Sequence, residues 1–160
     1  MAVTITQIGK GYLLRAEQVL PRRREDVFPF FADAQNLETI TPDWLKFSLT
    51  SRQPLEMREG LRIDYRLRLH GVPVRWRSEI TAWEPPVRFI DEQRRGPYRY
   101  WIHEHRFFDQ GDSTRMIDEV RYGLLCGAII NRLLVAGDLK KIFEFRERKL
   151  CELFSDPYSP

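Results

Sequence analysis

Residues 61 to 83 read LRIDYRLRLHGVPVRWRSEITAW, two alternating runs joined at His70-Gly71. In the first run Ile63, Tyr65, Leu67 and Leu69 fall on one side and Arg62, Asp64, Arg66 and Arg68 on the other, because successive strand side chains point to opposite faces. The second run repeats the split, with Val74, Trp76, Ser78 and Ile80 opposed to Arg75, Arg77, Glu79 and Thr81. Two half-buried antiparallel strands with a tight turn follow, and the apolar set marks the inner face. Arg62, Arg66, Arg68, Arg75 and Arg77 are interspersed with Asp64 and Glu79, which describes a solvated sheet surface rather than a site for anionic lipid or RNA.

Working outward, the same texture continues on both sides. KFSLTS (46–51) precedes the pair, and VRFIDEQ (87–93), YRYWIHEHRFF (98–108) and TRMIDEVRY (114–122) follow it. The separators EMREG, HG, EPP, RRGP and DQGDS are short and rich in turn formers, so an antiparallel meander is expected. In GPY (96–98), glycine is expected to supply an unusual backbone angle for a hairpin.

Before the meander, GYLLRAEQV (11–19) reads as a first strand. RRREDVFPFFADAQNLETI then offers Val27, Phe28, Phe31 and Leu37 for one or two short helices, kinked or divided at Pro29. After it, residues 128 to 154 carry Leu139, Ile142, Phe143, Leu150, Leu153 and Phe154 at three- and four-residue spacing, an amphipathic helix about 40 Å long. Gly137 interrupts that helix, and close approach to the sheet or a ligand, or a local bend, would account for it.

The chain has 160 residues, 42% hydrophobic and 31% charged, which suits one domain over residues 1–160. Its 26 Lys and Arg against 23 Asp and Glu give a net charge of +3, too small an excess to indicate nucleic acid. The start, MAVTITQIGKGYLLR, lacks the pattern of a secretory signal, and no long apolar run suggests membrane insertion, so a cytoplasmic protein is expected. Cys126 and Cys151 lack metal or disulfide spacing and are read as small buried apolar residues.

Alternation applied to the later strands gives an inner face of unusual composition. Trp101, His103, His105 and Phe107 point inward together, and Glu104 points out. The preceding strand contributes Phe89, Asp91 and Gln93, and the following one Met116, Asp118, Val120 and Tyr122. Tyr65, Ser78, Asp91, Gln93, His103, His105, Asp118 and Tyr122 thus interrupt an aromatic wall. Each unpaired buried polar group costs on the order of 1–3 kcal/mol. A curved sheet wrapped around the C-terminal helix, with an aromatic-lined cavity between, reconciles these residues.

Pro42, Trp44 and Phe47; Gly60, Ile63, Tyr65, Leu67, Leu69, Gly71, Pro73 and Trp76; Trp83-Glu84-Pro85-Pro86 with Phe89, Asp91, Gln93, Gly96 and Tyr98; Trp101, His103, His105 and Phe107; and Asp118, Val120 and Tyr122 form one spaced pattern. It resembles bacterial members of the SRPBCC superfamily, the START-like or polyketide cyclase/dehydrase-like helix-grip proteins, over almost the whole chain. That resemblance implies an α+β fold in which a curved antiparallel sheet of about seven strands grips a long C-terminal helix, with two short helices after strand 1. It also implies an internal cavity for lipids, polyketides or other apolar ligands. The fold does not fix the function, because it hosts binders, cyclases and activators.

The expected partner is a small hydrophobic molecule, with a homodimer left open. Tyr65, Trp76, Ser78, Phe89, Asp91, Gln93, Trp101, Phe107 and Tyr122 are the candidate ligand-binding residues. His103, His105 and Asp118 are the candidate acid/base set should the protein be a cyclase or dehydratase. The same three could supply N and O ligands to zinc or ferrous iron. Lacking a recognised metal motif, they are read instead as a hydrogen-bonded polar patch, and no cofactor or metal is expected. An interaction module using the outer sheet face or the long helix is the third class, and the charged outer pattern argues against it.

Overall fold

The computed structural model describes residues 3–125 and 134–155. Eight strands form a single antiparallel sheet: β1 (Thr4–Ile8), β2 (Gly11–Leu20), β3 (Ser48–Leu49), β4 (Arg62–Leu69), β5 (Val72–Glu84), β6 (Arg88–Arg95), β7 (Tyr100–Asp109) and β8 (Thr114–Gly123). Their spatial order is β1-β2-β8-β7-β6-β5-β4-β3, so the meander is closed on one side by the N-terminal hairpin. Helices α1 (Arg24–Phe31) and α2 (Asn36–Thr39) lie between β2 and β3, with a tight helical turn at Asp43–Leu45. Helix α3 (Ala136–Ser155) follows β8.

The sheet has one strand more than expected. Thr4–Ile8 lies at an edge with four of its five residues exposed, so no buried face marks it in the sequence. The strand expected first, from residue 11, is β2, and the two helices follow it. KFSLTS pairs only at Ser48 and Leu49. Pro29 does not divide α1: it sits in the last turns, where Ala32 N–H still bonds Phe28 O at 3.1 Å, and the division comes after Phe31. The described part of α3 spans 20 residues, about 30 Å; residues 128–133, the start of the expected helix, lie outside the described residues.

The faces follow the alternation. Ile63, Leu67, Trp76, Ser78, Ile80, Phe89, Trp101, His103, His105 and Phe107 are buried. The outer face is a lattice of ion pairs: Arg62–Glu79 at 2.8 Å, Arg77–Asp64 at 2.8 Å and Arg15–Glu119 at 2.6 Å. Such exposed pairs contribute about 0.2–1 kcal/mol apiece. Between Ile80 and Ala82 the register with β6 shifts, leaving Thr81 as an extra residue. After the shift Trp83 stands opposite Phe89 and joins the inner face against Phe28. His70 (φ 50°) and Gly71 (φ 80°) both adopt the left-handed geometry that a two-residue hairpin turn requires.

Leu139, Phe143, Arg146, Leu150 and Phe154 make the buried stripe of α3. Leu150 and Phe154 enter one apolar cluster with Phe28, Phe31, Ile80 and Phe107, while Leu139 and Phe143 enter another with Trp76, Trp101 and Tyr122. Two smaller expectations are corrected. Cys151 is exposed on α3 rather than buried, and Cys126 lies outside the described residues. A side chain at Gly137 would meet open space, so close approach does not explain that glycine. No helix among the described residues is long and apolar enough to cross a membrane.

The stripe yields a stability prediction. Leu150 is 0% exposed and Val72 is 62% exposed. Leu150→Ala should cost about 2–5 kcal/mol in urea unfolding, and Val72→Ala less than about 0.5 kcal/mol.

Candidate functional site

A cavity of about 190 Å³ lies between the inner face of β4–β7, the α1–α2 segment and α3. Its walls are mostly apolar. Ile63, Tyr65, Leu67 and Leu69 come from β4, Trp76, Ser78 and Ile80 from β5, and Leu139, Ile142 and Phe143 from α3. Tyr65 stacks on Trp76 at 5.9 Å, and Trp76 meets Trp101 edge-on at 5.5 Å. Ser78 Oγ receives Trp76 Nε1–H at 3.2 Å and pairs with Tyr65 OH at 3.1 Å.

Strand pairing assembles the polar end of the cavity. His105 stands opposite Phe89 on β6 and Asp118 on β8, and His103 stands opposite Asp91 and Val120. The imidazole centroids lie 3.7 Å apart with the rings tilted by 35°, and Phe89 stacks on His105 at 4.1 Å. His105 is held between two carboxylates, with Nε2 3.1 Å from Asp91 Oδ2 and Nδ1 2.7 Å from Asp118 Oδ1. His103 Nε2 also bonds Asp118 Oδ1, at 3.1 Å. From α3, Arg146 places Nε 3.6 Å from Asp118 Oδ2 and Nη2 3.4 Å from His105 Nδ1.

These neighbours divide the two imidazoles. Burial, reinforced by the charge of His105, lowers the His103 pKa to about 4. Burial also opposes charge on His105, but Asp118 and Asp91 outweigh it and hold His105 above its ordinary value. Burial alone would raise Asp118, yet Arg146 and the two histidines hold it well below the carboxylate range. Asp91 is likewise lowered by its histidines against the pull of burial. Both ring nitrogens of His105 face carboxylates, which favours its charged form, so Asp91 and Asp118 are set against Arg146 and His105, with His103 neutral.

Of the residues expected at the site, Tyr65, Trp76, Ser78, Phe89, Asp91, Trp101, His103 and His105 border the cavity. Asp118 stands behind the histidines, buried and bonded to His103. Phe107 and Tyr122 do not border the cavity. Phe107 packs in the apolar core among Phe28, Phe31 and Phe89, and Tyr122 stacks on Tyr12. Gln93 turns away to clamp the β6–β7 hairpin, donating to Tyr98 O at 2.8 Å and accepting from Tyr98 N–H at 3.2 Å. Gly96 has no left-handed backbone angle, contrary to expectation. A Cβ there would meet the Gln93 carboxamide, so a side chain at this position would have to displace the Gln93 clamp.

Arg146 is the member that sequence reasoning missed. The available signal was a charged residue at the core spacing of α3, three after Phe143 and four before Leu150. Tyr98 and the α1–α2 wall, including Phe31 and Ile40, also border the cavity without having been singled out. Asp91, His103 and His105 bring ligand-type atoms within 4.8 Å of one another, a spacing that could gather a cation. The protein's own cations, Arg146 and His105, already supply the countercharge there.

The histidine split has a pH signature. His103 is neutral in the fold down to about pH 4, against 6.5 ordinarily, so the unfolded chain binds the extra proton between those values. Stability should fall on the order of 3 kcal/mol from pH 6.5 to 4. His105 acts with opposite sign: its contribution is complete below 6.5 and is lost as pH rises through its raised value. Urea unfolding across this range should show a clearly shallower acid limb in His103→Asn than in the wild type.

No family model matches the chain, and no curated protein matches it in sequence. Solved structures match it in shape. The major latex-like protein of Panax ginseng aligns with a TM-score of 0.68 at 12% identity, covering 92% of this chain and 100% of that one. CalU16 from Micromonospora echinospora aligns at 0.55 and 17% identity, covering 93% and 83%. A Thermus thermophilus protein gives 0.62 at 24% identity, covering 88% and 94%. At these identities the likeness is one of fold: an open antiparallel sheet with a long C-terminal helix, the helix-grip arrangement.

Proposed function

We propose that this chain is a single ligand-binding domain that holds a small hydrophobic molecule in the cavity between sheet and α3. The observation that carries the reading is a space walled by Trp76, Trp101, Ile63 and Phe143 with one confined polar end. Apolar walls supply affinity and a few placed polar groups supply orientation. At about 190 Å³ the cavity falls below the roughly 300–1,000 Å³ of drug-sized pockets, so a compact molecule suits it better than a long-chain lipid. Mass spectrometry of extracted native protein should find one predominant small apolar compound. Leu67→Trp, which fills the cavity at a cost of about 1–3 kcal/mol, should lose that compound while keeping its circular dichroism. Repeated extraction of nothing from the wild type would reject the reading.

The second reading is a cyclase or dehydratase. It is favoured by the two imidazoles in ring contact on the cavity wall, one neutral and one whose two ring nitrogens face the carboxylates of Asp91 and Asp118. His103 then takes a proton from an activated carbon and His105 gives one to the departing or forming hydroxyl, a division of labour worth about 10²–10⁴-fold. On a poly-β-ketone probe, His103→Asn should lower turnover by at least about 10²-fold with the fold intact. Unchanged turnover in His103→Asn and His105→Asn would reject the assignment.

A further inference from the structure

Arg146 is 9% exposed and is the only lysine or arginine in the buried set among the described residues. A guanidinium carries five N–H donors, yet the polar approaches to this one are long. Nε lies 3.6 Å from Asp118 Oδ2 with no hydrogen-bond partner, and Nη2 lies 3.4 Å from His105 Nδ1. Its carbon sits 5.6 Å from the Phe31 ring centre and 6.0 Å from that of Phe143, while the group borders the cavity. Buried donors are ordinarily satisfied. Here the space from which an acceptor can come is the cavity.

The surrounding charge decides the kind of acceptor. Asp91 and Asp118 are set against Arg146 and His105, whose two ring nitrogens face both carboxylates at 3.1 and 2.7 Å. That sum is zero before any ligand enters. A ligand carboxylate would bring a third negative charge beside Asp91 with no spare cation, and an uncompensated buried charge is strongly disfavoured. A carbonyl oxygen accepts from Arg146 without changing the sum.

We infer that the ligand is a neutral, largely apolar molecule that presents a carbonyl oxygen to Arg146. The inference rests on the binding reading above. Three probes of nearly one shape separate the two: 2-ethylnaphthalene, 2-acetylnaphthalene and 2-naphthoate, compared by equilibrium dialysis at neutral pH. The acetyl compound should bind at least about tenfold tighter than the ethyl compound, and at least about tenfold tighter than the carboxylate. Equal binding of acetyl and ethyl probes, or tightest binding of the carboxylate, leaves the cavity reading standing and overturns this one. Binding of none of the three overturns both.

Arg146→Met combined with Asp118→Asn avoids stranding a buried carboxylate. It should bring the acetyl and ethyl probes within about threefold of each other. A preference retained in that folded double variant means the oxygen is received elsewhere, and the assignment to Arg146 falls. If the double variant does not fold, the wild-type comparison decides alone.

Discussion

The approach of Arg146 to Asp118 joins the last helix to the middle of the sheet, and the arrangement around it follows from that contact. A carboxylate in this position is tolerable because a guanidinium and two imidazoles surround it, and removing one member of such a buried set typically costs about 3–5 kcal/mol. The contact also fixes the rotation of α3. With Arg146 directed at Asp118, Phe143 must enter the cluster of Trp76 and Trp101, and Leu150 the cluster of Phe28 and Phe107. The polar group is thus a seam between two apolar bodies, and the cavity opens where neither body closes it.

Hydrogen bonding carries the seam across the sheet. Tyr65 on β4, Ser78 on β5, Asp91 on β6, His105 on β7 and Asp118 on β8 are linked in sequence by contacts of 3.1, 3.3, 3.1 and 2.7 Å. Each link connects neighbouring strands, so the chain of polar groups runs perpendicular to the strands, parallel to the ladder itself. A register error in any one strand would break it, because a one-residue slip sends the member to the solvent face. Polar specification of this kind complements the apolar core, which tolerates repacking more readily.

Much of this was legible in the sequence because period-two alternation is a strong local signal. It separates His103 and His105 from Glu104 and puts Asp118 on their face as a partner. What alternation cannot show is depth along the inner face. Phe107, Tyr122 and Gln93 point inward as expected, yet two fill the apolar core and one clamps a hairpin, since their distance from α3 is set by tertiary packing. Arg146 was hidden for a different reason. On a helix an arginine beside Glu144 and Glu147 looks like part of a solvated face, and only the partner waiting on β8 makes it a core residue. The edge strand β1 escaped because neither of its faces is buried.

The extra residue at Thr81 gives the inner wall something like a reading frame. Upstream of it in β5 the even-numbered residues face the helix, and downstream Trp83 does. The cavity's Trp76 and the core's Trp83 thus lie on one surface only because the frame changes between them. Deleting Thr81 would restore strict alternation and keep both indoles inside, whereas one further residue inserted beside it would leave composition, turns and strand length almost untouched and send one of the two into water. Related chains aligned here with one residue more would differ in which tryptophan meets the helix, although their sequences on either side could be identical.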